Sequence, residues 1–288
     1  MRAGQAASRR EAKALIERRR VTVNGRHIHK GTIIGASDDV RITGPLQARS
    51  IQPNPDLKIE ILYEDESILV VNKPGGLPCH PLKQDEREAI INGVTALHPE
   101  VATLGDKPLE GGLVHRLDNG TSGALIIARN QDAFTELRRA IRNGDISRRY
   151  LALCSGIVDQ PLEIATPIAH HPKNRRKMIT SLNIAASLHA RPAATAIFPL
   201  ERYGDFSLVE VRPLTGRRHQ IRVHLASTGH PLMGDTLYGG PHDEGLAPGR
   251  FWLHLSEVAF MSSSHALVTV HAPVPADLDQ ILTRFRPN

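Results

Sequence analysis

The chain has 288 residues, 40% of them hydrophobic and 23% charged, with a net charge of +6. That composition is globular rather than fibrous or disordered; no apolar run reaches the ~20 residues a membrane-spanning helix needs, and no basic-then-apolar leader opens the sequence, so a cytoplasmic protein is expected. Only Cys79 and Cys154 are cysteines, too few for a disulfide framework or a cysteine-based zinc site, and their apolar settings read as reduced core residues.

The basic excess is local. Residues 1–50 hold 11 Lys/Arg against 4 Asp/Glu, whereas 51–288 hold 25 against 26. A basic module for a polyanion, most commonly nucleic acid, is the natural reading. Ser8 followed by Glu11 forms a capping-box pattern. Ala12, Leu15 and Ile16 mark one apolar face, and Arg9, Arg10, Lys13, Arg18, Arg19 and Arg20 fall largely off it. These cations, with Lys30, are the candidate RNA contacts. Asn24-Gly25 between alternating apolar residues predicts a hairpin. A helix followed by such a hairpin resembles the small RNA-binding module first described in a ribosomal small-subunit protein. The resemblance implies a further helix ahead of it; only Met1 to Ala7 stand there, so a shortened module over 1–44 is expected.

Pro45 to Pro55 reads as a linker, set at 45–57. Beyond it, over 58–288, strands are predicted at 59–63, 67–72, 124–129, 150–154, 206–211 and 266–271. Helices are predicted at 131–142, stopped by Gly144, at 217–226 and at 277–285. Strands and helices do not alternate regularly, which predicts an α+β fold. The stretch 170–177 is a polar, basic loop and a second candidate RNA contact.

The most informative segment is His115-Arg116-Leu117-Asp118-Asn119-Gly120-Thr121-Ser122-Gly123, which feeds the apolar run Ala124 to Ala128. Asp118 is thereby placed on a tight loop entering a buried strand. Turn chemistry alone explains an Asp-Asn-Gly, so the pattern by itself leaves a structural aspartate open. Other blocks stand around it: Ile61 to Ser67 leading into Val70 to Leu77, then Arg148-Arg149-Tyr150-Leu151-Ala152. Thr215-Gly216-Arg217-Arg218-His219-Gln220-Ile221-Arg222 follows, and then Gly229 to Asp235 with Tyr238-Gly239.

In that order these blocks resemble the RluA-type pseudouridine synthases, from about residue 58 to the C-terminus. The resemblance implies that family's fold, with a central, largely antiparallel or mixed sheet flanked by helices and loops. It also implies cofactor-free, metal-free isomerisation of uridine to pseudouridine in structured RNA. Asp118 matches the family's nucleophile, Tyr150 its active-site tyrosine and Arg222 the arginine paired with the aspartate, expected through two parallel bonds. Arg116 matches the residue that enters the base stack as the uridine leaves. Lys73 and Leu253 match substrate-side positions, and Arg217 and Arg218 read as phosphate contacts. The block ordinarily carries Lys where Arg148 stands, which keeps the charge.

A carboxylate can attack an electrophilic sugar or ring carbon and leave again; the residues leave open which of the two it attacks. Ribosomal RNA of the large subunit is the favoured substrate, with transfer RNA, or a silent RNA-binding assembly factor, as alternatives. A monomer is expected. The fifteen histidines carry no His-Glu-x-x-His spacing, so no metal site is expected.

Overall fold

The computed structural model describes residues 9–43, 50–180 and 189–286. The chain divides into two compact units, 1–50 with 106–108, and 51–105 with 109–288.

In the smaller unit, helix α1 (Arg9–Glu17) buries Leu15 and half-buries Ala12 and Ile16, the face its apolar spacing defines. It precedes a three-stranded antiparallel sheet of β1 (Val21–Val23), β2 (Arg26–His27) and β3 (Val40–Ile42), in the order β2-β1-β3. Asn24 and Gly25 turn the hairpin with φ of 50° and 79°, the paired positive values that make Asn-Gly the favoured two-residue turn. Arg18, Arg19 and Lys30 are exposed. Lys13 is exposed too and pairs with Glu17 one turn on, at 3.4 Å. Arg20 instead donates from Nε to Thr43 O, closing helix onto sheet. The Ser8 cap and the segment ahead of it, where a further helix is implied, lie outside the described residues, as do the side chains of Arg9 and Arg10.

The larger unit is built on a nine-stranded sheet. Its strands are β4 (Glu60–Glu64), β5 (Ile68–Lys73), β6 (Ser122–Ala128), β7 (Ser147–Ser155) and β8 (Leu162–Ile164), with β11 (Thr195–Tyr203), β12 (Phe206–Pro213), β13 (Leu253–Met261) and β14 (Leu267–His271). The order is β4-β5-β6-β13-β7-β12-β11-β8, with β14 paired to β13, while β9 (Ile168–His170) and β10 (Met178–Thr180) form a separate hairpin. Every pairing is antiparallel except β6 with β13. The sheet is mixed and the helices few: α2 (Ile90–Leu97), α3 (Gln131–Asn143), α4 (Gln220–Ser227) and α5 (Ala276–Phe285). This is the α+β class expected, and none of the described helices is long and apolar enough to cross a membrane.

Period-two alternation sorts side chains to the two faces. On β7, Tyr150, Ala152 and Cys154 enter the main core with α2, α3 and the all-buried strand β6. Leu153 turns the other way, into a second core with Trp252, Leu278 and Ile281 of α5. Trp252 is fully buried and donates Nε1–H to Leu278 O at 3.0 Å, so its indole nitrogen is satisfied in the core. Helix α3 begins on Asn130, whose side chain accepts from Ala133 N, and stops at Gly144 in the left-handed region, φ 86°.

Three expectations are corrected. The second half of the proposed linker is packed: Ile51 is 2% exposed, and Asn92 Nδ2 donates to Gln52 O. Helix α4 begins at Gln220 rather than 217, because His219 is left-handed (φ 54°) and cannot continue a helix backwards. Arg217 and Arg218 therefore lie on the preceding turn, and Arg218 does not share a helix face with Arg222. Helix α2 and strands β3, β8 to β11 and β13 were not expected at all. In α2, Gly93 hides the helical pattern, yet a Cβ there would collide with Ile59 and Leu57.

Candidate active site

The loop 115–121 is fastened at almost every residue. His115 Nε2 accepts from Ile126 N at 3.0 Å, locking the start of the loop to β6. Burial, then the charge of Arg148, pushes the His115 pKa down to about 3, so it serves as a neutral acceptor. Leu117 is buried, and its N–H and carbonyl both meet Cys79 Sγ, at 3.3 and 3.2 Å. The Asn119 carbonyl accepts from Gly76 N at 2.7 Å and from Lys73 Nζ at 3.2 Å. The Gly120 carbonyl accepts from Arg250 Nη1. Thr121 N closes a turn onto Asp118 O at 3.0 Å. At the loop exit Gly123 has φ 118°, and a Cβ there would overlap the Leu255 carbonyl of β13. The Thr-Ser-Gly ending thus lets β13 lie directly against β6.

Between these fasteners Arg116 is exposed and Asp118 is open, its side chain 26% accessible. With Leu117 buried between them, alternation turns both toward the open side.

Arg222, 7% exposed on α4, reaches Asp118 Oδ2 with Nη1 at 3.0 Å. The expected two-bond fork is not made to Asp118. Nε and Nη2 instead grip both oxygens of Asp235, at 2.7 and 2.8 Å. The guanidinium also lies over Phe251 (4.3 Å) and near the ring of Tyr238 (5.1 Å). Burial opposes its charge, but the Asp235 and Asp118 carboxylates outweigh that and raise its pKa. On the other side of Asp118, His219 Nε2 stands 4.0 Å from Oδ1. His219 Nδ1 is 2.9 Å from Tyr238 Oη, which also accepts from Met178 N at 2.8 Å. Burial pushes the His219 pKa down to about 4 against the field of Asp118.

Tyr150 is 7% exposed on β7, opposite Val211 of β12 and Leu255 of β13. Burial drives its hydroxyl up to about 12, with Asp118 adding to the rise, so at neutral pH it is a protonated phenol within the field of that carboxylate. The structure thus gathers Asp118, Tyr150, Arg222 and Arg116 around one loop.

Two expected substrate contacts stand elsewhere. Lys73 has no exposed surface, and Nζ donates to the carbonyls of Pro74, Leu77 and Asn119, which uses all three hydrogens of an ammonium. Burial lowers its pKa to about 8. It is a brace behind the loop. Leu253, 3% exposed, belongs to the main core. Of the basic pair, Arg217 donates Nε to Pro192 O, while the exposed Arg218 reaches Arg175 O on the hairpin loop 171–177.

Asp235, His219 and Arg250 are the polar residues that sequence reasoning passed over. The first two stand in quoted blocks without a role, and Arg250 carries no local signal. Among the described residues no three His, Cys, Asp or Glu side chains converge as a metal site would require.

The RNA pseudouridylate synthase family profile matches residues 67–227, and the S4 domain profile matches residues 2–40. The chain is 30% identical to the ribosomal large subunit pseudouridine synthase D of Haemophilus ducreyi, covering 97% of this chain and 87% of that protein. It is 32% identical to an uncharacterized RNA pseudouridine synthase of Bacillus subtilis, covering 98% and 90%. The human RNA pseudouridylate synthase domain containing 1 is similar in structure, with a TM-score of 0.62 and 26% identity over 83% of this chain and 98% of that one.

Proposed function

The chain belongs to the RNA pseudouridylate synthase family and is a pseudouridine synthase with an S4 domain, and we propose that it isomerises uridine in large-subunit ribosomal RNA with Asp118 as nucleophile. The substrate follows the names of relatives such as the Haemophilus ducreyi protein. The observation that carries the site is the 3.0 Å bond from Arg222 Nη1 to Asp118 Oδ2 on a loop otherwise pinned in place.

In this reading Asp118 Oδ2 is oriented by Arg222, and the open carboxylate meets the extracted nucleotide. Asp118 adds to an electrophilic carbon of that nucleotide, the glycosidic bond breaks, and the base turns and rejoins through carbon as the carboxylate leaves. Isomerisation moves one proton from the newly bonded carbon to the ring nitrogen that the sugar has left, and Tyr150, a buried protonated phenol, relays it by giving up its own hydrogen as it takes the carbon's. Arg116 fills the gap in the stack, where a planar guanidinium both stacks and bonds phosphate. We assign residues 1–44 as the basic RNA-binding module and the larger unit that begins at residue 51 as the catalytic domain, working in the cytoplasm on the ribosomal substrate.

The test is pseudouridine mapping of total RNA with the gene intact, deleted, and restored as wild type or as Asp118→Asn. Modification should vanish from specific large-subunit positions on deletion and return only with the wild-type gene. Loss confined to transfer RNA would overturn the substrate, and restoration by Asp118→Asn would overturn the nucleophile.

A further inference from the structure

His219 has no task in the mechanism above, yet its backbone is fixed and its ring stands between Tyr238 and Asp118. Its backbone sits in the left-handed region (φ 54°, ψ 21°) immediately before α4, and its carbonyl accepts from Val223 N. That conformation is unfavourable for a non-glycine residue, so the surroundings impose it. The ring stands edge-on to Tyr238, with centroids 5.8 Å apart at 88°. Tyr238 Oη accepts the Met178 N–H, which leaves its own hydrogen free to donate, and Nδ1 of His219 lies 2.9 Å away. Donation there makes Nδ1 an acceptor, so in the neutral ring the hydrogen resides on Nε2. Nε2 faces Asp118 Oδ1 at 4.0 Å, the oxygen that Arg222 does not hold.

We propose that His219 is a positioning residue for Asp118: a neutral imidazole whose Nε2–H, set by the Met178–Tyr238 relay, bears on Oδ1 and limits rotation of the carboxylate about its Arg222 bond. This rests on the reading of Asp118 as the nucleophile. At 4.0 Å the contact is longer than a hydrogen bond, so it steers the carboxylate without capping it. Neutrality matters for the same reason. A second cation beside Asp118 would stabilise the resting carboxylate and blunt its attack, whereas a neutral donor orients it at small electrostatic cost. Burial of the ring supplies that neutrality.

Two measurements on the full-length protein test this. Imidazole ¹⁵N NMR at neutral pH should show His219 as the Nε2–H tautomer, and Tyr238→Phe should shift it toward a mixture. An Nδ1–H tautomer or an imidazolium in the wild type overturns the proposal whatever the enzyme's activity.

The second measurement compares His219→Gln with His219→Asn on transcribed large-subunit ribosomal RNA. A glutamine amide can place a donor where Nε2 stands; asparagine suits the left-handed backbone but falls short of Asp118. The asparagine variant should lose kcat by roughly 10- to 100-fold, the scale of small misplacements at a reacting centre. Its RNA affinity should stay within about twofold, since uniform binding is untouched, and glutamine should recover most of the rate. Equal rates for the two variants, or a loss confined to affinity, overturn the positioning role. Retained activity in Asp118→Asn instead removes the nucleophile assignment on which the role depends.

Discussion

Asp235→Asn tests whether the clamp behind Arg222 sets both the stability and the rate of this site. The Asp235 side chain is 1% exposed and the Arg222 side chain 8%, and two bonds of 2.7 and 2.8 Å join them. Charge-assisted hydrogen bonds contribute about 1.5–3 kcal/mol each. Removing one member of a buried pair costs about 3–5 kcal/mol. Asparagine keeps one acceptor but turns amide hydrogens toward a guanidinium, and Phe251 and Tyr238 still pack against the cation. A loss of about 3 kcal/mol follows. Asp118→Asn removes a single bond to a carboxylate that is 26% accessible, so it should cost only about 1 kcal/mol. Denaturant titration of both variants should give that order. Single-turnover kinetics should show Asp235→Asn slowed by roughly 10- to 100-fold, because the freed guanidinium turns to Asp118 and drags the nucleophile with it. A variant of Asp235 that loses less than about 1 kcal/mol and keeps its rate would refute the clamp.

Tyr150→Phe should lower kcat far more than stability, since the ring stays in the core and only the hydroxyl goes; normal single-turnover kinetics would remove Tyr150 from the mechanism. Deleting residues 1–50 removes the whole net positive charge. If roughly three phosphate contacts go, the log–log salt slope of RNA binding should fall by about two units, and an unchanged slope would leave that charge as a solvated face. Stability should also fall as pH drops from 6.5 toward 4. Over that window the unfolded chain protonates His219 while the folded ring, held to about 4, does not, which amounts to about 3 kcal/mol. His219→Gln should reduce the slope by that share, leaving the part due to the likewise neutral His115, and a wild-type protein as stable at pH 4.5 as at pH 7 would contradict the buried, neutral ring.

Where local chemistry fixed a feature, the sequence revealed it. Asn24-Gly25 specifies its turn, and Gly144 stops α3. Strand β6 is buried along its whole length, and its Ala124 to Ala128 stretch is an unbroken apolar run because both faces are covered. Strands β11 and β13 were missed, and each carries a register shift, at Pro199/Glu201 and at Leu255/Glu257. The site divides the same way. Asp118 and Arg116 share one loop and one block, so a motif exposes them. The partners that hold them are 13 residues from Arg222 at Asp235, 46 from Asn119 at Lys73 and 130 from Gly120 at Arg250. No periodicity links such pairs; only the folded sheet does. Lys73 and Leu253 stood in plausible positions, but residue type alone could not tell an amine facing RNA from one buried against three carbonyls.

The charges around Asp118 explain why the buried fasteners take the form they do. Asp118, Arg222 and Asp235 together carry one negative charge, and His219 adds none while it is neutral. A site with net negative charge must nonetheless admit a polyanion. In the proposed function the cation that offsets it is Arg116, exposed on the same loop. Lys73 and Arg250 lie behind the loop, Lys73 spent on three carbonyls and Arg250 on the Gly120 and Phe251 carbonyls, Ser122 Oγ and the Asp277 carboxylate, where they fix geometry rather than attract phosphate. On the proposed reading the division keeps the charge of Asp118 available for reaction while the exposed Arg116 is left to meet the RNA. It also explains why one carboxylate oxygen is held by a cation at 3.0 Å and the other only approached by a neutral ring at 4.0 Å. A second close cation would have bound Asp118 more firmly and left it a weaker nucleophile.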